Sequence, residues 1–322
     1  MICMEAKRDL GAVAREVGTC AGLSILLEVS GSPKPGNVHR YADFSDTRFE
    51  HFLASGIAIV REMEIAASRG IDIGLRRIRP EEARMGETIR DAVAQVKKWQ
   101  RGGNTSLGTI ILVTPLSVAA GMTHTQDEFS LSGMRDNLST ILKKNTPEDT
   151  LHLYEAISIA NPGGLGKVSK LDISDPSSKR AILEEGVTLY EVFEISAERD
   201  SISKEWITTF NISFEVGLPE FESTYRKTGD VNYATIHTFL RILSEVPDTL
   251  IARKMGKEGA EKITMRAREV LQKGGCLTEE GRGELKKLDS ELRDPKNQLN
   301  PGTSADLTAA SIMLALLNGF RP

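Results

Sequence analysis

The chain is short of the residues that build several common classes of protein. Its three cysteines, Cys3, Cys20 and Cys276, are far apart and form no CxxC pair. That argues against a disulfide framework or a structural zinc site. Aromatic residues make up only 5% of the 322 residues, and alternating apolar–polar runs are scarce, which disfavours an all-β domain. An excess of positive charge is missing as well. The formal net charge is −4, so no nucleic-acid surface and no polybasic membrane surface is expected, although a local basic pocket for an anion fits within such a balance. The longest apolar run lies near 109–120 and contains Pro115. It falls short of the roughly 20 residues that a membrane span needs. The N-terminus, MICMEAKRDL, is too charged for a secretory signal, so the expected location is the cytoplasm. Neither HExxH nor GxSxG occurs, and His39, His51, His124, His152 and His237 have no metal-ligand spacing.

What is present is helical periodicity. Hydrophobic residues are 40% of the chain and charged residues 27%, as in ordinary globular proteins. Val13, Val17, Ala21 and Ile25 recur at three- and four-residue spacing, the pattern of an amphipathic helix over 12–28. Thr47 with Glu50 predicts a capping box before a helix over 49–69. Further helices are expected over 81–99, 105–121, 131–144, 147–160, 177–199, 202–216, 231–246, 257–273, 278–293 and 303–318. Thr146-Pro147-Glu148-Asp149 is a strong helix start and Gly274-Gly275 a stop. No repeat or long linker interrupts the chain. The expectation is one all-α domain over 1–322: a compact multi-helix bundle whose ligand-binding loops converge on one pocket.

Four loops carry more than connection. In Ser32-Pro33-Lys34-Pro35-Gly36-Asn37, prolines and glycines enclose one lysine. A stiff loop of this kind suits a phosphate, and an exposed lysine on a solvent loop fits equally. Gly102-Gly103-Asn104-Thr105-Ser106-Leu107-Gly108 feeds an apolar helix. The N–H groups at that helix start can hold an anion, while Asn104, Thr105 or Ser106 can cap it. It is not a P-loop, because the Lys-Ser/Thr ending is missing. Asn161-Pro162-Gly163-Gly164-Leu165-Gly166-Lys167 reads as a phosphate cradle or as a plain loop. In Asn300-Pro301-Gly302-Thr303-Ser304-Ala305-Asp306, Thr303 and Asp306 have capping-box spacing. The alternative there is a carboxylate facing a pocket.

Taken in order, these segments resemble the triphosphoribosyl-dephospho-CoA synthases over about residues 15–318. Glu28-Val29 through Pro33-Lys34-Pro35-Gly36-Asn37-Val38-His39-Arg40 is similar to that family's E-V-x-x-S-P-K-P-G-L-V-D-R. Gly103-Asn104-Thr105-Ser106-Leu107-Gly108 is similar to G-V-N-T-H-K-G, and Asp248-Thr249 with Arg253 to G-D-T-N followed by R-G-G. Leu299 through Leu307 resembles the closing S-P-G-G-S-A-D-L. The resemblance implies an all-α transferase. It moves the triphosphoribosyl group of ATP to the ribose 2′-hydroxyl of 3′-dephospho-CoA and releases adenine. It further implies Mg²⁺ with the ATP, phosphate contacts from Lys34, Arg40 and Arg253, and a Glu28 that orients Lys34. Asp46, Asp248 and Asp306 become the candidates for general base and metal ligand. Gly36, Gly103, Asn104, Thr105, Gly108, Gly302 and Ser304 become candidates for nucleotide contact.

The chain departs from the family pattern at several points. His39 replaces an aspartate, Ser106-Leu107 replace His-Lys, Leu250 replaces an asparagine, and Lys254-Met255 replace Gly-Gly. The changed middle motifs keep two alternatives in view, a related transferase with another acceptor and a non-catalytic nucleotide-binding protein. A homodimer stays open.

Overall fold

The computed structural model describes residues 9–163, 171, 173 and 175–322. Cys3 and the Gly164–Lys167 half of the third loop lie outside them. The described chain is helical throughout, as expected, and forms no strand; a single isolated bridge joins His39 and Ala42. The first half runs through α1 (Leu10–Ser30), α2 (Phe49–Ala58), α3 (Val60–Gly74), α4 (Met85–Trp99), α5 (Leu107–Thr123), α6 (Leu131–Leu142) and α7 (Pro147–Ala160). The second half runs through α8 (Pro176–Glu185), α9 (Leu189–Ser196), α10 (Ser201–Ile207), α11 (Leu218–Thr228), α12 (Val231–Glu245), α13 (Thr249–Met255), α14 (Lys257–Gln272), α15 (Glu279–Leu292) and α16 (Gly302–Leu317).

Local signals explain many of the ends. Thr146 caps α7 through the Asp149 N–H at 3.3 Å, with Pro147 at the first helical position. Gly274 and Gly275 take φ of 92° and 56° and end α14. Other boundaries differ from expectation. The 49–69 stretch breaks at Ile59, just after Ser55-Gly56, where one N–H is shared between two carbonyls. Its start is not the Thr47–Glu50 box. Arg48 is the cap residue, and its N–H donates to His51 Nδ1 at 3.1 Å. The 81–99 helix begins only at Met85, after a short 3₁₀ turn over Pro80–Ala83. The 177–199 stretch is split by Gly186 at φ 71°, and Thr188 with Glu191 restarts it. The 202–216 stretch is broken by Thr209 and Phe210, both at positive φ. There the buried Glu205 carboxylate accepts the N–H groups of Ile212 and Ser213 and so replaces missing helical partners. Helices α11 and α13 were not anticipated.

Two hydrophobic clusters share α12. The larger is built mainly from α1, α3, α4, α5, α6 and α16, the smaller from α12, α14 and α15. Where α3 and α5 cross, a Cβ on Gly70 would stand 2.0 Å from the Val118 carbonyl and one on Gly121 would stand 2.1 Å from the Ala67 carbonyl. Only glycine allows that approach. Pro115 sits inside α5 and cannot donate to Ile111. The Ile111 carbonyl is satisfied instead by the indole N–H of the buried Trp206 at 3.2 Å. By length and composition α1 could cross a membrane, contrary to the sequence reading. In this fold it packs against α2, α3, α5 and α16 and delivers Glu28 to the site described below.

Candidate functional site

The expected convergence of loops occurs. A cavity of about 1040 Å³ is lined by Asn37, by Phe44, Asp46 and Thr47, by the run Gly103–Thr109, and by Asn161–Gly163. Its other side is formed by the α9–α10 junction, α13 and the segment leading into α16.

Asp306 stands on the cavity wall in the first turns of α16. Its Oδ1 accepts the Thr109 hydroxyl at 2.5 Å. A Cβ on Gly108 would lie 2.2 Å from Oδ2, so α5 can approach the carboxylate only because residue 108 has no side chain. The expected Thr303–Asp306 capping box therefore does not form: Asp306 faces α5, and the Thr303 hydroxyl oxygen takes the Thr249 hydroxyl at 3.2 Å. Burial pushes the Asp306 carboxyl up to about 7; the Thr109 hydroxyl opposes the rise and the charge of Glu28 adds to it. A carboxyl titrating near neutrality can take up a proton during catalysis.

Glu28, at the end of α1, also lines the cavity. Behind it Lys34 is fully buried and donates to both the Glu28 carboxylate and the Glu28 carbonyl, the latter at 3.1 Å. Burial raises the Glu28 pKa, and the lysine opposes this; burial lowers the Lys34 pKa, and the glutamate opposes that. The surrounding loop is pinned from outside. Asn232 exchanges two hydrogen bonds with the Ser32 backbone at 2.8 and 2.9 Å, and the Gly36 N–H donates to Asp289 at 2.9 Å.

On the facing loop, Asn104 accepts the N–H of Leu107, the first residue of α5, at 3.2 Å, and the cap residue is Ser106. The Thr105 hydroxyl contacts Ser55 Oγ at 2.7 Å. The Ser106 hydroxyl is buried and has no hydrogen-bond partner among the described residues.

Set beside known proteins, the chain has clear counterparts. The family model described as ATP:dephospho-CoA triphosphoribosyl transferase matches residues 14–321. The chain belongs to that family. The 2-(5″-triphosphoribosyl)-3′-dephosphocoenzyme-A synthase of Klebsiella pneumoniae is 24% identical over 309 residues, covering 94% of this chain and 91% of its own. A protein of Stutzerimonas stutzeri, named a probable synthase of the same kind, is 24% identical over 314 residues, covering 95% and 93%. A solved structure from Archaeoglobus fulgidus, assigned to triphosphoribosyl-dephospho-CoA synthase, superposes with a TM-score of 0.60 at 28% identity. It covers 84% of this chain and all of its own.

In this transferase-family chain the cavity gathers Glu28, Asp46, Gly103, Asn104, Thr105, Gly108, Arg253, Gly302 and Asp306 from the residues expected by sequence. Five others lie elsewhere. Lys34 is sealed behind Glu28 and does not line the cavity. Arg40 is exposed and outside the lining. Gly36 makes a turn at φ 66°, where a Cβ would strike Leu292 at 2.5 Å. Asp248 is buried and fully engaged: Oδ1 accepts the Leu250 and Ile251 N–H groups, and Oδ2 accepts the N–H and hydroxyl of Ser304. With four donors on two oxygens, Asp248 joins α13 to α16 and has no lone pair directed at a metal or substrate. Ser304 serves the same joint.

Sequence reasoning missed Asn37, Thr109, Arg199, Asp200, Lys254, Lys296 and Asn300, all of which line the cavity. Asn37 and Asn300 stand in loops already singled out, and Thr109 and Lys254 adjoin Gly108 and Arg253; Arg199, Asp200 and Lys296 carried no local signal. Among the described residues no three His, Cys, Asp or Glu side chains gather into a preformed metal site.

Proposed function

We propose that this chain transfers the triphosphoribosyl group of ATP to the ribose 2′-hydroxyl of 3′-dephospho-CoA, with release of adenine. The observation that carries this reading is the meeting of the Gly103–Gly108, Arg253 and Gly302–Asp306 segments around one cavity, in a chain that matches the family almost end to end. The volume, about 1040 Å³, is at the upper end of ordinary ligand pockets, as a site for two nucleotides requires.

Asp306 supports the chemistry. The C1′–N9 bond of ATP breaks, the acceptor 2′-oxygen bonds to C1′, and the 2′-hydroxyl proton passes to the Asp306 carboxylate. Adenine leaves with the electron pair of that bond and takes one proton from water, and Asp306 returns the 2′-hydroxyl proton to water, so that the protons balance. Positive charge develops on the ribose, as in glycoside cleavage, and the ionised Glu28 stabilises it electrostatically. Mg²⁺ fits this site as an ion that arrives with ATP, since it is commonly held by substrate phosphates and one or two carboxylates. Asp46, on the lining, is the carboxylate suited to share it, whereas the two Asp200 oxygens already accept Ser203, Thr249 and Arg253, as those of Asp248 are already engaged. A reaction that consumes ATP supports a cytoplasmic setting.

The test is adenine release from ATP and Mg²⁺, measured with and without 3′-dephospho-CoA. Release that depends on the acceptor and is lost in Asp306→Asn supports the reading. No release at saturating substrates, from folded protein that binds ATP, overturns it and moves the assignment to a different acceptor or to a binding protein.

A further inference from the structure

The cavity is electrically polarised. Its lining between residues 25 and 163 contains no lysine or arginine, whereas its lining from residue 171 onward contains Arg199, Arg253, Lys254 and Lys296. Two contacts draw these four together. Arg253 pairs with Asp200, the neighbour of Arg199, at 3.0 Å. Lys254 Nζ donates to the carbonyl of Asn297, the neighbour of Lys296, at 2.8 Å. Only Arg253 has a carboxylate at ion-pair distance among the described residues. Lys254 is half-buried, with its ammonium on a neutral carbonyl; burial lowers its pKa, and the carboxylates of Asp248, Asp294 and Asp46, none at ion-pair distance, oppose this only in part.

Such an arrangement is only partly compensated within the protein, by Asp200 on Arg253 and by the carboxylates round Lys254. Four like charges round one concavity repel one another, and burying an ammonium without a contacting anion costs free energy. A polyanion in the cavity offsets both costs. The side chains also suit phosphates: guanidinium groups bind phosphate oxygens in pairs, and ammonium groups act as point charges.

We propose that Arg199, Arg253, Lys254 and Lys296 form a polyphosphate subsite. It holds the triphosphate of ATP along the α10–α13 wall and directs the ribose toward Asp306. The assignment of ATP as its ligand rests on the transferase reading above. Lys34 and Arg40 are not part of the subsite, since one is sealed behind Glu28 and the other lies outside the cavity.

The probe is inorganic tripolyphosphate, with ATP and adenosine beside it, titrated by calorimetry into the full chain. The variants are Arg199→Ala, Lys296→Ala, Lys254→Met and Arg40→Ala. Tripolyphosphate is expected to bind the unmodified protein. Each of the first three variants should weaken tripolyphosphate and ATP about tenfold or more, with adenosine unchanged. Arg40→Ala should bind all three ligands normally. Arg199 and Lys296 are exposed, so their variants keep the test clear of folding defects. Failure of tripolyphosphate to bind the unmodified protein overturns the subsite, and so does undiminished binding by the three variants. Adenine release reports on the transferase reading separately: no release with intact tripolyphosphate binding would sink that reading and leave the subsite standing.

Discussion

The hydroxyl of Thr109 reaches Asp306 at 2.5 Å because Gly108, one residue earlier, presents no side chain to the same carboxylate. A methyl group at 108 would stand 2.2 Å from Asp306 Oδ2. Gly108→Ala must therefore displace the carboxylate or separate α5 from α16. A misplacement of about 1 Å at a reacting group costs on the order of 10²-fold in rate. Overpacking of this kind costs about 1–3 kcal/mol of stability. Adenine release and thermal melting on the same variant measure the two effects.

Asp306 should set the pH profile. A general base titrating near 7 gives a rate that rises with pH through that value and levels above it. Asp306→Asn should remove this limb and lower turnover by about 10²–10⁴-fold. Stability moves the other way. The folded pKa lies above the ordinary carboxyl value, so this group's contribution is present at low pH and lost as pH rises from about 4 to about 7. Relative to the unmodified protein, Asp306→Asn should gain stability across that window. Denaturant melts at several pH values check the sign.

How far the sequence exposed this site depends on the range of the interactions. The helix starts at Thr146-Pro147 and the stop at Gly274-Gly275 were legible because caps act over a few residues. The approach of the 103–108 and 300–306 loops could be inferred only from family resemblance. The burial of Lys34 is not legible in the sequence because partners about 200 and 250 residues away fix its loop: Asn232 on Ser32 and Asp289 on Gly36. The engagement of Asp248 is hidden from the sequence for the same reason, since its partner Ser304 lies 56 residues on. Arg199 and Lys296 carry no local pattern at all, and their meeting exists only in the folded chain.

Asp248 offers a direct contrast between positioning and chemistry. Asp248→Ala leaves the N–H groups of Leu250, Ile251 and Ser304 without their acceptor. Each buried donor so orphaned costs about 1–3 kcal/mol, so a large drop in melting temperature is expected. Asp248→Asn keeps one acceptor oxygen and should lose less stability. Its folded fraction should release adenine with a pH profile unchanged near 7, because the base is Asp306. Loss of the rise through pH 7 in Asp248→Asn would show that Asp248 acts in the chemistry.

The buried Lys34–Glu28 pair separates stability from nucleotide binding. Replacing Lys34 by methionine leaves Glu28 in a desolvated position with its counter-charge gone. Breaking a buried pair by removing one partner costs about 3–5 kcal/mol. Lys34→Met should therefore melt far below the unmodified protein. Removing the second charge as well, in Lys34→Met with Glu28→Gln, should recover part of that loss, because no buried charge is then left uncompensated. A phosphate ligand behaves differently. If Lys34 touched the triphosphate, both variants would lose ATP affinity to the same degree, and restoring stability would not restore binding. The geometry gives the opposite expectation: calorimetry on the double variant should find ATP and tripolyphosphate bound nearly as tightly as by the unmodified protein. Turnover should stay low, since the Glu28 charge facing the ribose is missing.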